Sequence, residues 1–236
     1  MEEITKRRLR FLAGFAAYFV VLWALWNTPI VYPLKIFVVL LHEVSHGAVA
    51  VATGGSIERI VITAGQGGLC VCPGGNAFLT LSAGYLGSLL FGALILWAAR
   101  GRGRIPQIAA AAIGLLVIGL TLVFVRNWFG MIFGIAFGAA LVMAGKELLA
   151  EGNAMMLTAL GLTSCLYAIL DIKSDVLVRP EIMSDARMLA ELTGIPTLIW
   201  GLLWIGLAIV ISVWLFQRAL ERAGAEPAKE KDLFQV

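Results

Sequence analysis

The stretch that decides the fold is IFVVLLHEVSHGAVAVAT, residues 36–53. Its apolar residues are suited to a helix that crosses a lipid bilayer, which takes about 20 residues. The same run carries His42, Glu43 and His46. Ionisable side chains in mid-membrane are rare and usually line a water-filled functional site. The stretch therefore predicts a spanning helix that holds a site.

The composition of the whole chain is that of a membrane protein. Of 236 residues, 60% are hydrophobic and only 14% are charged, a balance that ordinary soluble domains do not have. The net charge of +3 is small, and the basic residues flank apolar runs, which suits lipid headgroups better than nucleic acid. We expect a multi-pass integral membrane protein in contact with the bilayer and without a nucleic-acid partner.

The predicted fold class is an all-α polytopic membrane protein with six to seven transmembrane helices. Residues 54–76 interrupt the helical pattern, because they are rich in glycine and contain the strand-like segments IVIT and LCVC. They predict a short β-hairpin between the helix that holds the histidines and the next span. Small residues recur four apart in two later spans and predict faces that pack inside the bundle: Gly84, Ser88 and Gly92, and Gly130, Gly134 and Gly138.

The chain is expected to form a single transmembrane domain over residues 1–216. Its most polar internal segment, 173–195, is predicted to be a loop that contains a short amphipathic helix, with Ser184 as N-cap and Gly194 as stop. Residues 217–236 are predicted to be a charged, mobile tail.

His42, Glu43 and His46 form the pattern H-E-x-x-H, and they include both histidines of the chain. Residues four apart share one face of a helix, so both imidazoles can bind one Zn²⁺ ion. Glu43 points about 100° away and would not be a ligand, but it can act as a general base on water. The pattern predicts metal ligation by the two histidines and catalysis by Glu43.

A third protein ligand has to come from elsewhere, and no histidine remains. Asp171 is the favoured candidate because it ends an apolar helix. Asp175 lies four residues further on and could be a ligand or orient one. Asp185 is a weaker candidate, because an acid in the first turn of a helix is also explained by the helix dipole. A cysteine is less favoured than these carboxylates.

The sequence resembles the site-2-protease-like intramembrane zinc metallopeptidases, and it is most similar to their short bacterial branch. HEVSHGAVA in a span, the glycine-rich β segment, LSAGYLGSLL and a late region with LDI and SDA carry the resemblance from about residue 35 to 215. It implies a zinc endopeptidase in the bacterial inner membrane, whose substrates are membrane proteins or membrane peptides. It also implies that the edge near Gly67, Gly68 and Leu69 pairs with an unwound substrate strand.

The resemblance implies an aspartate from a later span as the third zinc ligand. Leu170-Asp171 matches the Leu-Asp-Gly of that family, but Ile172 replaces its glycine, and the Asn-Pro element that precedes the aspartate in relatives is missing. AGYLGS stands where many relatives have AGP followed by asparagine. These departures keep Asp175 and Asp185 open as ligands.

Three functional hypotheses follow from these features. The first is an intramembrane zinc endopeptidase that hydrolyses peptide bonds of membrane-embedded substrates. The second is a catalytically silent relative that binds metal or membrane clients, although a pure metal scaffold would not need Glu43. The third is a metal transporter, a class that often has internal repeats, whereas H-E-x-x-H has no counterpart in the second half of the chain.

Overall fold

The structure is a computed structural model that describes residues 2–173, 175, 176 and 183–224. Within these residues the chain forms helices and one small sheet. In chain order the elements are α1 (Glu2–Leu25), α2 (Tyr32–Ala52), β1 (Arg59–Ile62), β2 (Gly68–Val71), α3 (Ala77–Ala99), α4 (Ile105–Phe124), α5 (Trp128–Glu147), α6 (Ala150–Lys173), α7 (Asp185–Thr193) and α8 (Thr197–Gly224).

Seven of the described helices, all except the nine-residue α7, are long and apolar enough to cross a membrane. A single two-stranded antiparallel hairpin lies between α2 and α3. The predicted fold class, a polytopic helical membrane protein with a hairpin after the H-E-x-x-H helix, is confirmed.

The helix α2 is the most enclosed of the spans. Two thirds of its apolar window (67%) is buried inside the protein, against 22% for α4 and for α5. The apolar run 36–41 that precedes His42 is buried throughout. The helix begins with Pro33 in its first turn, where a missing backbone N–H costs nothing. The apolar run before the motif is therefore enclosed by the rest of the protein.

The small residues that recur four apart do face neighbouring helices. Gly130, Gly134 and Gly138 are buried on α5, and Gly84, Ser88 and Gly92 are buried on α3. A Cβ on Gly138 would lie 2.7 Å from the carbonyl oxygen of Gly114 on α4, so these helices touch through their backbones, as predicted. Close packing of this kind fixes the framework around the site.

The hairpin is held on one side by the start of α5. The two strands pair with Ile62 opposite Gly68. On the outer edge of β1, Ile60 bridges Val125. The side chain of Asn127 bonds to both the N–H and the carbonyl of Ile62, at 3.1 and 2.7 Å. Among the described residues, β2 has a strand neighbour only on its β1 side.

The polar region before α8 contains α7, whose caps are those expected from the sequence. Ser184 accepts a hydrogen bond from the backbone N–H of Arg187 at 3.3 Å. Gly194 ends the helix in the left-handed conformation, with φ of 74°. The short amphipathic helix thus begins immediately at Asp185.

The chain divides into two compact units. One contains residues 33–209 and includes the hairpin, α7 and the H-E-x-x-H motif; the other contains residues 2–32 and 210–224 of the described chain. The sequence predicted one domain over residues 1–216 with a tail after it. In the structure α8 continues as a helix to Gly224, and Gln217 to Arg222 contains good helix formers. The rest of the predicted tail, residues 225–236, lies outside the described residues.

Candidate metal centre

The H-E-x-x-H segment lies in the second half of α2, with both imidazoles on one face. The ring centroids of His42 and His46 are 4.8 Å apart. His46 and Glu43 are buried, and His42 is nearly so. One helical turn separates the two histidines, so their Nε2 atoms can converge on one point.

The third group at this point is Asp185, from α7. Its Oδ2 atom lies 3.0 Å from Nε2 of His42 and 3.2 Å from Nε2 of His46. The three ligand atoms lie within 4.8 Å of one another. In a tetrahedral zinc site with bonds of about 2.0–2.1 Å, neighbouring ligand atoms are about 3.3 Å apart. The chemistry and the spacing of this donor set therefore fit a metal ion.

The structure does not place the favoured candidate, Asp171, in this cluster. Asp171 lies near the end of α6, and the described His, Cys, Asp and Glu side chains that meet closely enough to share an ion are His42, His46 and Asp185. Asp175 instead accepts a hydrogen bond from the hydroxyl of Tyr85 at 2.8 Å. The cluster therefore favours Asp185 over Asp171 and Asp175 as the third ligand, because α7 brings its carboxylate against both imidazoles.

One sequence signal for Asp185 was available. Asp185 and Leu189 are four residues apart and share a face of α7, and Leu189 and Ala186 are fully buried. If the apolar face of a short amphipathic helix packs against the protein, an acid on that face is buried with it. The helix-dipole explanation of Asp185 overlooked this companion residue.

Cysteine does not take part in the cluster. Cys70 and Cys72 in and after β2 are paired with each other, and the thiol of Cys165 lies 3.8 Å from the carbonyl oxygen of Leu89. The described part of the chain therefore offers a ligand set of two histidines and one aspartate.

Asp185 is held as an anion. Burial by itself would raise the pKa of its carboxyl, but the charge of His46 and the hydrogen bonds with His42 and His46 outweigh burial and hold the pKa well below its usual range. This shift favours the carboxylate, which is the form that binds a metal.

The orientation of His46 is fixed from its other nitrogen. Nδ1 lies 2.7 Å from the backbone carbonyl oxygen of Thr80 on α3. A carbonyl only accepts, so Nδ1 carries a proton, and Nε2 is the nitrogen that faces Asp185 and can bind a metal ion. Nε2 and the carboxylate oxygen are 3.2 Å apart, so a proton or a cation has to lie between them. A bound metal ion satisfies both, and the Thr80 contact is the kind of support that metal-binding histidines have.

Room beside the ligand atoms is provided by Gly84 on α3. A Cβ on Gly84 would lie 2.6 Å from Nε2 of His46 and would also overlap Nε2 of His42. The missing side chain leaves the imidazole nitrogens uncovered on this face. Any larger residue would fill the space that an ion and a water molecule need.

Glu43 lies against β2 of the hairpin. A Cβ on Gly68 would lie 2.6 Å from Cγ and 2.7 Å from the carboxyl carbon of Glu43. The backbone N–H of Cys70, also on β2, donates a hydrogen bond to the same carboxylate. The glutamate is thus held at the edge of β2 that has no strand neighbour in the described chain.

Most of the chain matches a known protein family. The sequence profile described as Peptidase M50B-like matches residues 15–215. The chain belongs to the Peptidase M50B-like family. The match includes every residue of the metal centre, and it supports a multi-pass membrane protein of a metallopeptidase kind. No curated protein and no solved structure matches the chain at the significance required of a relative. As a Peptidase M50B-like protein, the chain carries its histidines on α2 and its acidic partner on α7.

Proposed function

We propose that this Peptidase M50B-like protein is a zinc endopeptidase that hydrolyses peptide bonds of membrane-embedded polypeptides, in a bacterial inner membrane. The observation that carries the proposal is the position of Glu43. This side chain follows His42 directly on α2 and lies against β2, so a general base stands between a metal-binding cluster and a strand edge.

The ligands proposed for zinc are Nε2 of His42, Nε2 of His46 and the carboxylate of Asp185. Three protein ligands leave a fourth position for water, as in catalytic zinc sites. When bound, zinc supplies a Lewis acid that lowers the pKa of water to about 7 and polarises a substrate carbonyl. Thr80 keeps the Nε2 lone pair of His46 directed at this position.

Glu43 is proposed to move the proton. Its carboxylate takes a proton from the attacking water and delivers it to the nitrogen of the leaving amine when the peptide bond breaks. One proton is taken and one is returned, so the glutamate ends each cycle as it began.

The substrate is proposed to bind as an added strand beside β2. A transmembrane helix satisfies its peptide groups internally, so it has to be unwound before a peptide bond is open to attack. A strand edge replaces the hydrogen bonds that unwinding breaks. Because Gly68 lies against Glu43, a peptide bond on a strand at this edge would be next to the base.

The decisive experiment compares the wild-type protein with Glu43→Gln. The purified variants are assayed for zinc and, in liposomes, for cleavage of tagged single-span helices, with new termini identified by mass spectrometry. We expect about one zinc per chain in both proteins and cleavage only by the wild type. Glu147→Gln makes the same chemical change at an exposed position on α5 and should behave as the wild type.

Each rival hypothesis has its own outcome in this experiment. If the protein is a catalytically silent relative, the wild type will bind zinc and will cleave none of the tagged helices. A metal transporter would move zinc into empty liposomes, and Glu43→Gln would affect that movement instead of proteolysis. Absence of zinc from the wild type would contradict all metal-dependent functions.

A further inference from the structure

Tyr85 connects the metal centre to parts of the chain that do not bind the metal. It lies on α3, immediately after Gly84, and only 1% of it is exposed. Its ring stands edge-to-face with the ring of His42, with centroids 4.9 Å apart and an angle of 78° between the planes. This contact limits rotation of the imidazole ring about the Cβ–Cγ bond of His42.

The hydroxyl of Tyr85 has a specific partner. It donates a hydrogen bond of 2.8 Å to Oδ2 of Asp175, which lies 90 residues further along the chain. Hydrogen bonds to a carboxylate are stronger than those between neutral groups, and they are directional. The bond ties α3 to the chain that leaves α6.

The same ring also belongs to the core on which α7 rests. Tyr85 packs in one cluster with Ala186 and Leu189 of α7 and with Trp204 of α8, and its ring centroid lies 5.1 Å from that of Trp204. Ala186 directly follows Asp185. A displacement of the Tyr85 ring would therefore shift both the His42 imidazole and the helix that carries Asp185.

We propose that Tyr85 and Asp175 form a positioning pair that holds His42 and Asp185 at the spacing needed to bind the metal. Tyr85 acts through packing on His42 and on α7, and Asp175 fixes the ring by accepting from its hydroxyl. The inference rests on the proposed zinc site, although it does not require that the site be proteolytic.

Phenylalanine would fill the same space, so the function of the pair resides in the hydroxyl. A buried tyrosine hydroxyl needs a partner, and here the partner is an acid and not a backbone carbonyl. Removing groups that orient metal ligands typically lowers metal affinity or activity by about 10- to 100-fold. Tyr85→Phe and Asp175→Asn should both fall in this range.

The test measures metal binding by the full-length protein in detergent. Zinc affinity is obtained by competition with a chromophoric chelator, and the ligand field is read from the visible spectrum of the cobalt-substituted protein. We expect Tyr85→Phe to weaken zinc binding at least about tenfold and to shift the cobalt bands, because the imidazole changes its angle. The double variant with Asp175→Asn should be no worse than the more affected single variant.

Ser164→Ala is the matched control. Ser164 is a buried residue of α6 that donates a hydrogen bond of 2.8 Å to the carbonyl of Ser88 on α3, so its loss removes one bond between the same two regions without touching His42. It should leave zinc affinity and the cobalt spectrum unchanged. If Tyr85→Phe does not fold, Asp175→Asn alone decides the question.

The outcomes separate this inference from the proposed function. Wild-type affinity and an unshifted spectrum in Tyr85→Phe would overturn the positioning pair and leave the zinc site intact. An equal loss in Ser164→Ala would also overturn it, since general weakening of the helix packing would then be the cause. A wild-type protein that binds neither zinc nor cobalt would overturn both proposals.

Discussion

Oδ2 of Asp185 lies 3.0 Å from Nε2 of His42, although 143 residues separate them in the chain. The same oxygen is 3.2 Å from Nε2 of His46. One carboxylate thus supplies the third group of the cluster, beside the two histidines of α2. The identity of this aspartate is the first matter to test.

Asp185→Asn should lose zinc, because an amide oxygen is a neutral and much weaker ligand than a carboxylate. We expect occupancy to fall from about one zinc per chain to a small fraction, measured by elemental analysis after gel filtration. Asp171→Asn is the control, since it makes the same change near the end of α6 and should retain the metal. Loss of zinc from Asp171→Asn and not from Asp185→Asn would restore the ligand that the Leu-Asp pattern favours.

Gly84→Ala should abolish metal binding without unfolding α3. Alanine favours a helix over glycine by about 1 kcal/mol, so the helix itself gains stability. The added Cβ, however, would lie 2.6 Å from Nε2 of His46 and would occupy the space beside the ligands. Zinc content and helicity by circular dichroism provide the two measurements.

The control for this substitution is Gly119→Ala on α4, where a Cβ would meet nothing within 4 Å. It should bind zinc as the wild type does. Full zinc occupancy in Gly84→Ala would show that the ion lies elsewhere.

Gly68→Ala should separate metal binding from catalysis. Its Cβ would come within 2.7 Å of the carboxyl carbon of Glu43 and would push the base away from the strand edge. We expect normal zinc content and a loss of cleavage comparable to that of Glu43→Gln, measured in liposomes with the same single-span substrates. Gly65→Ala, in the turn of the same hairpin, meets Thr63 only at an ordinary distance of 3.9 Å and should stay active; cleavage by Gly68→Ala at the wild-type rate would contradict the placement of Glu43.

Asn127→Ala should loosen the hairpin. The side chain makes two hydrogen bonds to the backbone of Ile62, and at about 0.5–1.5 kcal/mol each their loss costs about 1–3 kcal/mol of local stability. Amide hydrogen exchange in β1 should become faster, and cleavage should weaken while zinc content is unchanged. Gln107→Ala removes a side-chain bond to Leu148 at the other end of the α4–α5 pair, and exchange in β1 should not respond to it.

The parts of the site that depend on local spacing could be predicted from the sequence. His42 and His46 share a face because of the helical repeat, and Glu43 follows from the same pattern. The hairpin follows from its glycines and strand-forming residues, and the packed faces of α3 and α5 follow from small residues four apart. None of these requires knowledge of how distant segments meet.

For the third acid, local spacing favoured a residue outside the cluster. Asp171 ends an apolar helix and has the better local pattern, but the cluster depends on where α7 docks after the polar region. That docking is set by the packing of Ala186 and Leu189 against Tyr85 and Trp204, and Tyr85 lies about 100 positions earlier in the chain. The spacing of residues along the chain does not show which distant segments will be in contact.

Val125 and Asn127 cover the outer edge of β1, and this has a consequence for which substrate sequences the protein would prefer. If a polypeptide binds as an added strand, as proposed, it has to lie beside β2 and would always have the same position relative to Glu43. Because side chains on a strand alternate between two faces, alternate residues of that polypeptide would meet the protein and the intervening ones would point away. The protein would then select its substrates by the identity of every second residue along the cleaved chain.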